Sequence, residues 1–361
     1  MEHINRKKIA VLFGGCSSEY SVSLQSAHAI MTHLDTEKYE LIPIGITQSG
    51  EWLLYRGDLD RVPEDTWHTD RSVCTPVALS PDRSARGLLA FGECGKFALI
   101  PLDAVFPVLH GKNGEDGTVQ GLVELSGIPL VGCDTLSSAL CMDKTRAHLL
   151  AEHGGIAVPK AVELDHPCEE AVLRAAVSGL NFPVFVKPVR AGSSYGITKI
   201  SRESELAPAV ALAFEHDSRV IIEENVEGFE VGCAVLGNRE LIVGRVDEIE
   251  LSGGFFDFDE KYTLKTSRIH MPARVSAETE ERIRETAKAL YRILGCSGFA
   301  RVDMFLTPDE RIVFNEINTI PGFTSHSRYP NMMKGIGLGF SHIVNRLVEL
   351  ALDPECELAA R

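Results

Sequence analysis

Residues 315–330 read NEINTIPGFTSHSRYP, a short stretch that combines acidic, amide, hydroxyl and basic side chains. Glu316 and Asn318 lie two positions apart, so on a β-strand both side chains would point to the same face. A proline, a glycine, several hydroxyl side chains and Arg328 then follow. A packed core needs none of these residues, whereas a site that binds a metal ion or an anion would use them.

Two strand-like runs, SGFARVDMFL and RIVFNEIN, flank the turn sequence TPDE and predict a β-hairpin. A four-residue loop would pair Leu306 with Arg311. That register sets Arg301 directly opposite Glu316 and places Asp303 diagonal to it, within reach across the strand pair. The sequence therefore predicts one sheet face on which carboxylates, an amide and a guanidinium group meet.

The chemistry of this face is that of a hard cation site. Mg²⁺ takes oxygen ligands, commonly one or two carboxylates plus substrate phosphates, and Asp303, Glu316 and Asn318 fit that preference. The alternative is a solvated sheet face with an exposed ion pair, and the strand pattern alone favours neither. The following loop, rich in glycine and hydroxyls, favours the metal because it would bring backbone N–H groups beside the ligands.

Two further segments have the character of a nucleotide site. In PVFVKPVRAGSSYG (183–196) a strand leads to Lys187 and then to small residues, whose backbone N–H groups can close on phosphate oxygens. The spacing differs from that of a P-loop. In VIIEENVEGFE (220–230) an apolar strand turns acidic, which suits an adenine amino group and a ribose. Taken singly, a surface lysine and an edge strand with solvated acids are the commoner explanations.

Composition narrows the class of protein. The chain has 361 residues, 44% of them hydrophobic, which predicts two or three domains. A net charge of −15 argues against nucleic-acid binding. Nine cysteines without a C-x-x-C pair indicate neither a zinc site nor a disulfide framework, and are typical of a reducing compartment. No apolar run reaches the length of a signal segment or a membrane span, so we expect a cytoplasmic protein.

The order of predicted elements divides the chain. Strands alternate with helices in the first part, which predicts an α/β layer with a parallel sheet. A helix over 137–153 and a small α+β unit follow, and the last part combines strands, a polar loop (252–267) and a helix over 277–294. The predicted boundaries are 1–132 for an N-terminal α/β domain, 133–226 for a central domain, 227–350 for a C-terminal domain and 351–361 for a tail.

Several motifs of the chain, taken in the order in which they occur, resemble those of the ATP-grasp superfamily and, within it, of the D-alanine–D-alanine ligase family. The matching motifs are FGGCSSEYSVSL, LHGKNGEDGTVQG, CMDK, FVKPVRAGSSYG, EENVEGFEVG, DEKY, GFARVDMF and NEINTIPGFTSHS. They extend from residue 8 to about residue 350. The segments HGKNGEDGT, GCDTLSSALCMDK and TSHSRYPNMMKGIGL are most similar to the vancomycin-resistance D-alanine–D-serine ligases.

The resemblance implies a three-domain α/β ATP-grasp fold in which the two α+β domains sandwich ATP. It implies a ligase that joins D-alanine to D-serine through D-alanyl phosphate, giving a modified peptidoglycan precursor terminus and vancomycin resistance. A D-alanine–D-alanine ligase is the alternative, and a catalytically silent binding module is a remote one. The expected partners are ATP, two Mg²⁺ or Mn²⁺ ions, D-alanine, D-serine and a second subunit in a homodimer, without nucleic acid or membrane.

Individual residues also receive roles from the resemblance. ATP would be bound by Lys144, Lys187, Ser193, Ser194, Glu223, Glu224, Val226, Glu230 and Lys261. The metal ligands would be Asp303, Glu316 and Asn318. The catalytic group would consist of Glu19, Ser193, Tyr262, Arg301 and Gly322, the last two as an oxyanion hole. The two substrates would be bound by Glu19, His110, Arg301, Gly322, Ser327 and Arg328.

Two positions bear on the second substrate. Arg328 stands where many D-alanine–D-alanine ligases of the family carry an apolar residue, which puts D-alanine as the acceptor in doubt. D-Lactate ligases of the family place a histidine in the loop that covers the site. The corresponding loop here reads DEKYTLK and contains no histidine, so an acceptor with an amine is expected.

Overall fold

The computed structural model of the protein describes residues 6–92, 95–192, 196–251 and 267–353. Within these residues the chain forms three β-sheets, each covered by helices. None of the helices in the described part is both long and apolar enough to cross a lipid bilayer.

The first sheet is centred on the apolar strand β1 (Lys7–Gly14), which pairs in parallel with β2 (Tyr39–Ile46) and β7 (Ala104–Val108). Alternate residues of β1 pack against α1 (Tyr20–His33) on one face and α2 (Thr118–Ser126) on the other. Burial on both faces explains why β1 is continuously apolar. The predicted parallel layer is thus confirmed for these three strands.

The region 50–100, whose sequence shows weak periodicity, adds an antiparallel extension to this sheet. Its strands are β3 (Trp52–Tyr55), β4 (Cys74–Leu79), β5 (Gly87–Phe91) and β6 (Phe97–Pro101). The strand order is β6-β5-β4-β3-β2-β1-β7, so the sheet as a whole is mixed. Beyond β7, residue Leu130 joins the sheet through an isolated parallel bridge with Val105.

The second sheet is antiparallel, with the order β10-β9-β11-β8. Its strands are β8 (Ala161–Leu164), β9 (Val184–Pro188), β10 (Thr198–Ile200) and β11 (Val220–Glu224), and it packs against α5 (Glu170–Val177) and α6 (Leu206–Phe214).

Two helices, α3 (Thr135–Met142) and α4 (Lys144–His153), precede the second sheet. The prediction of one helix over 137–153 is wrong, because Asp143 has an extended backbone and its carboxylate accepts the N–H of Arg146. An aspartate in this position ends one helix and caps the next.

The third sheet is also antiparallel, with the order β14-β13-β12-β15-β16. Its strands are β12 (Phe229–Leu236), β13 (Ile242–Leu251), β14 (Ser267–His270), β15 (Phe299–Leu306) and β16 (Ile312–Asn318). The predicted long helix is confirmed as α7 (Ala277–Ile293), which packs on one face of the sheet. The helices α8 (Arg328–Lys334) and α9 (Phe340–Leu352) follow and pack towards the first sheet.

The hairpin β15–β16 forms as predicted, but its register is different. Leu306 pairs with Ile312, and Asp303 lies directly opposite Glu316. The ladder shifts by one residue between Asp303 and Met304, which makes Asn315 a β-bulge. The bulge sends the buried Phe314 into the core and still presents Glu316 on the opposite, site-facing side.

Candidate active site

A cavity of about 560 Å³ opens between the second and third sheets. Its position follows from the fold, because β9 and β11 form one wall while β12, β15 and β16 form the other. The residues predicted for ATP that line it are Lys144, Lys187, Glu223, Glu224, Val226 and Glu230, and the predicted metal ligand Glu316 lines it as well.

On the β9–β11 wall, a buried ionic group surrounds Glu223. Lys187 Nζ lies 2.5 Å from Glu223 Oε2, and His148 Nδ1 lies 3.5 Å from Glu223 Oε1. Burial alone would raise the pKa of the Glu223 carboxyl, but Lys187 and His148 hold it below its ordinary value. Glu223 is only 1% exposed, and its carboxylate positions Lys187, while its contact with adenine remains a prediction.

His148 connects this group to the opposite wall. Its Nε2 lies 2.8 Å from the carbonyl oxygen of Asn315, so Nε2 carries a proton and donates it. Asn315 is the bulge residue of β16, whose carbonyl has left the strand ladder and needs a donor. His148 therefore helps to hold the bulge that aims Glu316 at the cavity.

Lys144 and Glu224 complete this wall. Lys144 is the first residue of α4, is buried, and donates from Nζ to the carbonyl of Ala191 at 2.9 Å. That bond fixes the start of the small-residue loop predicted to hold phosphate. The Glu224 carboxylate accepts both the backbone N–H and the side-chain amide of Asn181 through one oxygen, Oε1.

On the other wall, Arg301 and Asp303 form a buried bidentate pair. Arg301 Nη2 and Nε donate to the Asp303 carboxylate at 2.7 and 2.9 Å, and Asn318 Nδ2 donates to it at 2.9 Å. Burial would lower the pKa of Arg301, but Asp303 raises it, so the guanidinium stays charged.

The donor set on this wall fits a magnesium ion. Asp303 and Glu316 are directly opposite each other, and Asn318 is two residues further along β16. Because Asn318 gives its amide N–H to Asp303, its amide oxygen is the atom left for a cation. Two carboxylates and an amide oxygen are ligands that Mg²⁺ prefers, with phosphate oxygens and water completing the shell.

Arg328 is held in place by several carboxylates of the same wall. Nε and Nη2 donate to the two oxygens of Asp247, each at 2.7 Å, and Nη1 donates to Glu230 at 2.9 Å. Nη1 also lies 3.3 Å from Asp303. Burial would lower the pKa of Arg328, but Asp247 and Asp303 raise it well above its ordinary value.

Gly232 on β12 makes room for the Arg328–Asp247 pair. A Cβ atom at residue 232 would lie 2.2 Å from Arg328 Nη2 and 2.6 Å from Asp247 Oδ1. The Gly232 N–H also donates to Asp247 at 3.0 Å. Three elements, β12, β13 and the start of α8, are therefore built around this single ion pair.

Ser327 and Gly322 lie together just before α8. The Ser327 hydroxyl accepts the N–H of Thr324 at 2.9 Å, and a Cβ atom at residue 322 would lie 3.3 Å from it. The structure thus brings Gly322, Ser327 and Arg328 together, and Arg328 lies close to Asp303, the partner of Arg301.

Glu19 lies at the start of α1 and is 7% exposed. Its carboxylate fits between two glycines, because a Cβ atom would lie 2.4 Å from Oε2 at Gly111 and 2.8 Å from it at Gly192. His110, predicted to assist Glu19 in binding substrate, instead has both ring nitrogens bonded within the protein, to the carbonyl of Ile320 and to Ser26 Oγ. The geometry makes His110 a positioning residue, since neither nitrogen is left for a substrate.

Four of the predicted site residues lie outside the described part of the chain: Ser193, Ser194, Lys261 and Tyr262. The same holds for the predicted covering loop, apart from its last residue, Ser267, which begins β14. Their roles remain predictions.

Comparison with known proteins identifies the family. A model of the D-Ala–D-Ala ligase N-terminus matches residues 8–133, and a model of the D-Ala–D-Ala ligase C-terminus matches residues 150–349. The chain belongs to the D-alanine–D-alanine ligase family. It is therefore a ligase of a family that depends on ATP, and its three sheets are those of the ATP-grasp fold.

Relatives within the ligase family differ in the acceptor that their names state. The VanG D-Ala:D-Ser ligase of Enterococcus faecalis is 60% identical, with a TM-score of 0.90 over 96% of this chain and 100% of that one. A Streptomyces coelicolor protein, provisionally named a D-alanine–D-lactate ligase, is 48% identical over 96% of this chain and 98% of its own. The vancomycin/teicoplanin A-type resistance protein VanA of Enterococcus faecium is 46% identical over 97% and 99%.

Sequence reasoning missed the support residues of this ligase site. His148 had a usable signal, because it lies four residues after Lys144 and so on the same face of α4. Asp247 is one of several charged residues of its strand, so its pairing with Arg328 had no clear signal. Ser26 and Glu115 gave none, because their partners are backbone groups more than 200 residues away in the chain.

Proposed function

We propose that this ligase uses ATP to join D-alanine to D-serine, with D-alanyl phosphate as the intermediate. The observation that carries the acceptor assignment is the Arg328–Asp247 pair beside Ser327, for which Gly232 leaves space. A purely apolar acceptor side chain would not need a buried, fixed group of charges at this end of the site. The 60% identity to a solved D-Ala:D-Ser ligase supports the same choice.

The first step transfers a phosphoryl group. Lys144 and Lys187 would contact the phosphates of ATP, while Glu19 would bind the ammonium group of the first D-alanine. An oxygen of the D-alanine carboxylate attacks the γ-phosphorus, the bond to ADP breaks, and D-alanyl phosphate forms. Asp303, Glu316 and Asn318 would hold Mg²⁺ or Mn²⁺, which when bound neutralises phosphate charge.

The second step forms the new C–N bond. The amine of the acceptor attacks the acyl carbon, which gives a tetrahedral intermediate with a negative oxygen. Arg301 and the N–H of Gly322 would stabilise that oxygen. Collapse of the intermediate releases phosphate, and the amine nitrogen loses its proton, so the products are the dipeptide, ADP and phosphate.

Acceptor selection would occur at Ser327 and Arg328, of which Arg328 bonds Glu230 on the cavity wall. Hydrogen bonds to Asp247 and Glu230 use three of the five N–H groups of the Arg328 guanidinium within the described residues. Nη1 also faces Asp303 at 3.3 Å, so the second N–H of Nη2 is the group that would donate to the carboxylate or the hydroxyl of D-serine. A site built to bond a hydroxyl discriminates strongly against D-alanine, because its polar groups are left unpaired.

D-Alanine as the acceptor is the second candidate, since both matching family models carry that name. Phosphate release with ATP, D-alanine and each acceptor in turn tests the proposal, with the product identified by mass. We expect D-serine to give the highest kcat/KM, D-alanine a lower one and D-lactate no product. Equal or higher kcat/KM with D-alanine alone would reject D-serine as the acceptor.

A product ending in D-serine would alter the terminus of a peptidoglycan precursor. The identity to a vancomycin resistance protein supports a role of that product in vancomycin resistance. The homodimer and the domain boundaries near residues 132 and 226 remain predictions from the sequence.

A further inference from the structure

The segment 320–323 contains Gly322, the predicted oxyanion donor, and side chains from α1 and from the loop after β7 hold the backbone on both sides of it. The Ile320 carbonyl accepts from His110 Nδ1 at 2.9 Å, and the Ile320 N–H donates to Glu115 Oε1 at 3.2 Å. The Phe323 N–H donates to Ser26 Oγ at 3.1 Å. The peptide groups on both sides of Pro321–Gly322 are therefore held by side chains of the N-terminal part of the chain.

These bonds form one network with a single consistent set of proton positions. A carbonyl can only accept, so His110 Nδ1 carries the proton that faces Ile320. His110 Nε2 then accepts from the Ser26 hydroxyl, 3.1 Å away, while the Ser26 oxygen accepts from Phe323. Burial lowers the pKa of His110, which agrees with a neutral ring. His110 is 4% exposed and Ser26 is fully buried, so water does not replace these bonds.

The same network reaches the site of the first substrate. The second oxygen of Glu115, Oε2, accepts the N–H of Gly111 at 2.9 Å. Gly111 is the residue that lies against the Glu19 carboxylate. The carboxyl group of Glu115 thus fixes Gly111 on one side and Ile320 on the other, which sets the distance between the two halves of the substrate site.

We propose that Ser26, His110 and Glu115 are positioning residues that fix the Gly322 N–H for the condensation step. The inference rests on the proposed ligase reaction and assigns these residues no contact with substrate. A proline has a restricted φ, so anchoring the residues on both sides of Pro321–Gly322 leaves the Gly322 N–H little freedom. An oxyanion donor acts through its fixed direction, and a small displacement costs most of its effect.

The test compares two serines of α1. Ser26→Ala removes the bonds to Phe323 and His110. Ser23→Ala is the matched control, because Ser23 is equally buried and bonds the backbone of Gly14 and Val108, away from segment 320–323. For each variant, dipeptide kcat is measured beside positional ¹⁸O exchange in ATP with D-alanine, which reports reversible formation of the acyl phosphate alone.

We expect Ser26→Ala to lower dipeptide kcat by roughly tenfold or more, since loss of one oxyanion donor costs roughly 10²–10³ in kcat. The ¹⁸O exchange rate and the KM for ATP should stay near those of the wild type. Ser23→Ala should leave the ratio of dipeptide formation to exchange unchanged. An equal loss of both activities in Ser26→Ala, or the same change of ratio in Ser23→Ala, would overturn the positioning role.

A second pair of variants keeps the inference testable if Ser26→Ala does not fold. His110→Asn retains an N–H donor near the place of Nδ1, whereas His110→Ala does not. We expect the asparagine variant to recover most of the selective loss in condensation, and equal kcat in the two variants would count against the network. A wild-type protein that makes no dipeptide but shows exchange would instead refute the proposed function.

Discussion

The two walls of the cavity differ in their positively charged side chains, which are arginines on one wall and lysine on the other. On the β15–β16 wall, Arg301 and Arg328 each bind carboxylates through two or more N–H groups. On the β9–β11 wall, Lys187 offers a single ammonium group to Glu223. A guanidinium fork is fixed by bidentate pairing, whereas an ammonium on a flexible stem can exchange one anion for another.

This difference separates the work of the two walls. The arginine wall would hold a fixed geometry for the oxyanion and the acceptor. The lysine wall would keep Lys187 paired with Glu223 while its remaining N–H groups contact the phosphates of ATP. Changes to the arginine wall should therefore affect condensation and acceptor choice, and changes to the lysine wall should affect ATP.

The largest expected effect is that of Glu316→Ala. It removes a predicted metal ligand from the transferring phosphoryl group, and charge stabilisation in phosphoryl transfer is worth roughly 10³-fold or more in kcat. Steady-state turnover at saturating Mg²⁺ and ATP should be lost while the circular dichroism spectrum is kept. Glu349→Ala, an exposed acid on α9, is the control. Near-normal turnover of Glu316→Ala would remove this residue from the metal site.

Arg301→Ala comes next. Loss of an oxyanion donor costs roughly 10²–10³ in kcat, or about 3–4 kcal/mol. The KM for ATP should change little, because the charge that Arg301 faces develops only after phosphoryl transfer. A variant with normal kcat and weaker ATP binding would place Arg301 on the nucleotide instead. Arg346→Ala, half-exposed on α9, controls for the loss of one positive charge.

Glu223→Gln tests the lysine wall. The amide cannot pair with the Lys187 ammonium as a carboxylate does, and a hydrogen bond to a charged group is worth about 1.5–3 kcal/mol. The KM for ATP should rise roughly tenfold or more on that basis, with the ratio of dipeptide products unchanged. Glu163→Gln on β8, whose carboxylate pairs with Arg219, is the matched control. An altered product ratio in Glu223→Gln would contradict the assignment of ATP binding to the lysine wall and acceptor choice to the arginine wall.

The smallest effect concerns Glu115. Burial and the nearby charge of Glu19 raise the pKa of its carboxyl from 4.5 to about 8. Between these two pH values the folded protein holds a proton that the unfolded chain has lost, so stability falls as the pH rises. Urea unfolding of wild type and Glu115→Gln should show this slope only in the wild type; parallel pH profiles would contradict it.

The sequence was informative where local pattern decides structure. The spacing of apolar residues predicted the hairpin and the long helix. It also indicated that the acidic residues would lie at the ends of strands. It did not predict the register of β15–β16, because the bulge at Asn315 depends on His148, which comes from a distant helix. The break at Asp143 had a signal, since an aspartate three residues before Arg146 can cap a helix.

Roles that depend on contacts between domains were beyond the sequence. Nothing near Arg328 in the chain shows that Asp247 and Glu230 will hold it, since they lie on other strands. The resemblance placed His110 next to the substrate. Its two bonds to Ser26 and Ile320 become visible only when the first and third sheets are packed together.

A competition experiment between D-serine and D-alanine shows which of them the enzyme prefers as the acceptor. ATP, Mg²⁺, D-alanine and D-serine, the two amino acids at equal concentration near neutral pH, are incubated with the wild type, Arg328→Leu and the control Arg346→Leu. Chromatography separates the dipeptides. D-alanyl-D-serine should dominate with the wild type and with Arg346→Leu, and Arg328→Leu should lose this excess. A clear excess of D-alanyl-D-alanine from the wild type would contradict this expectation.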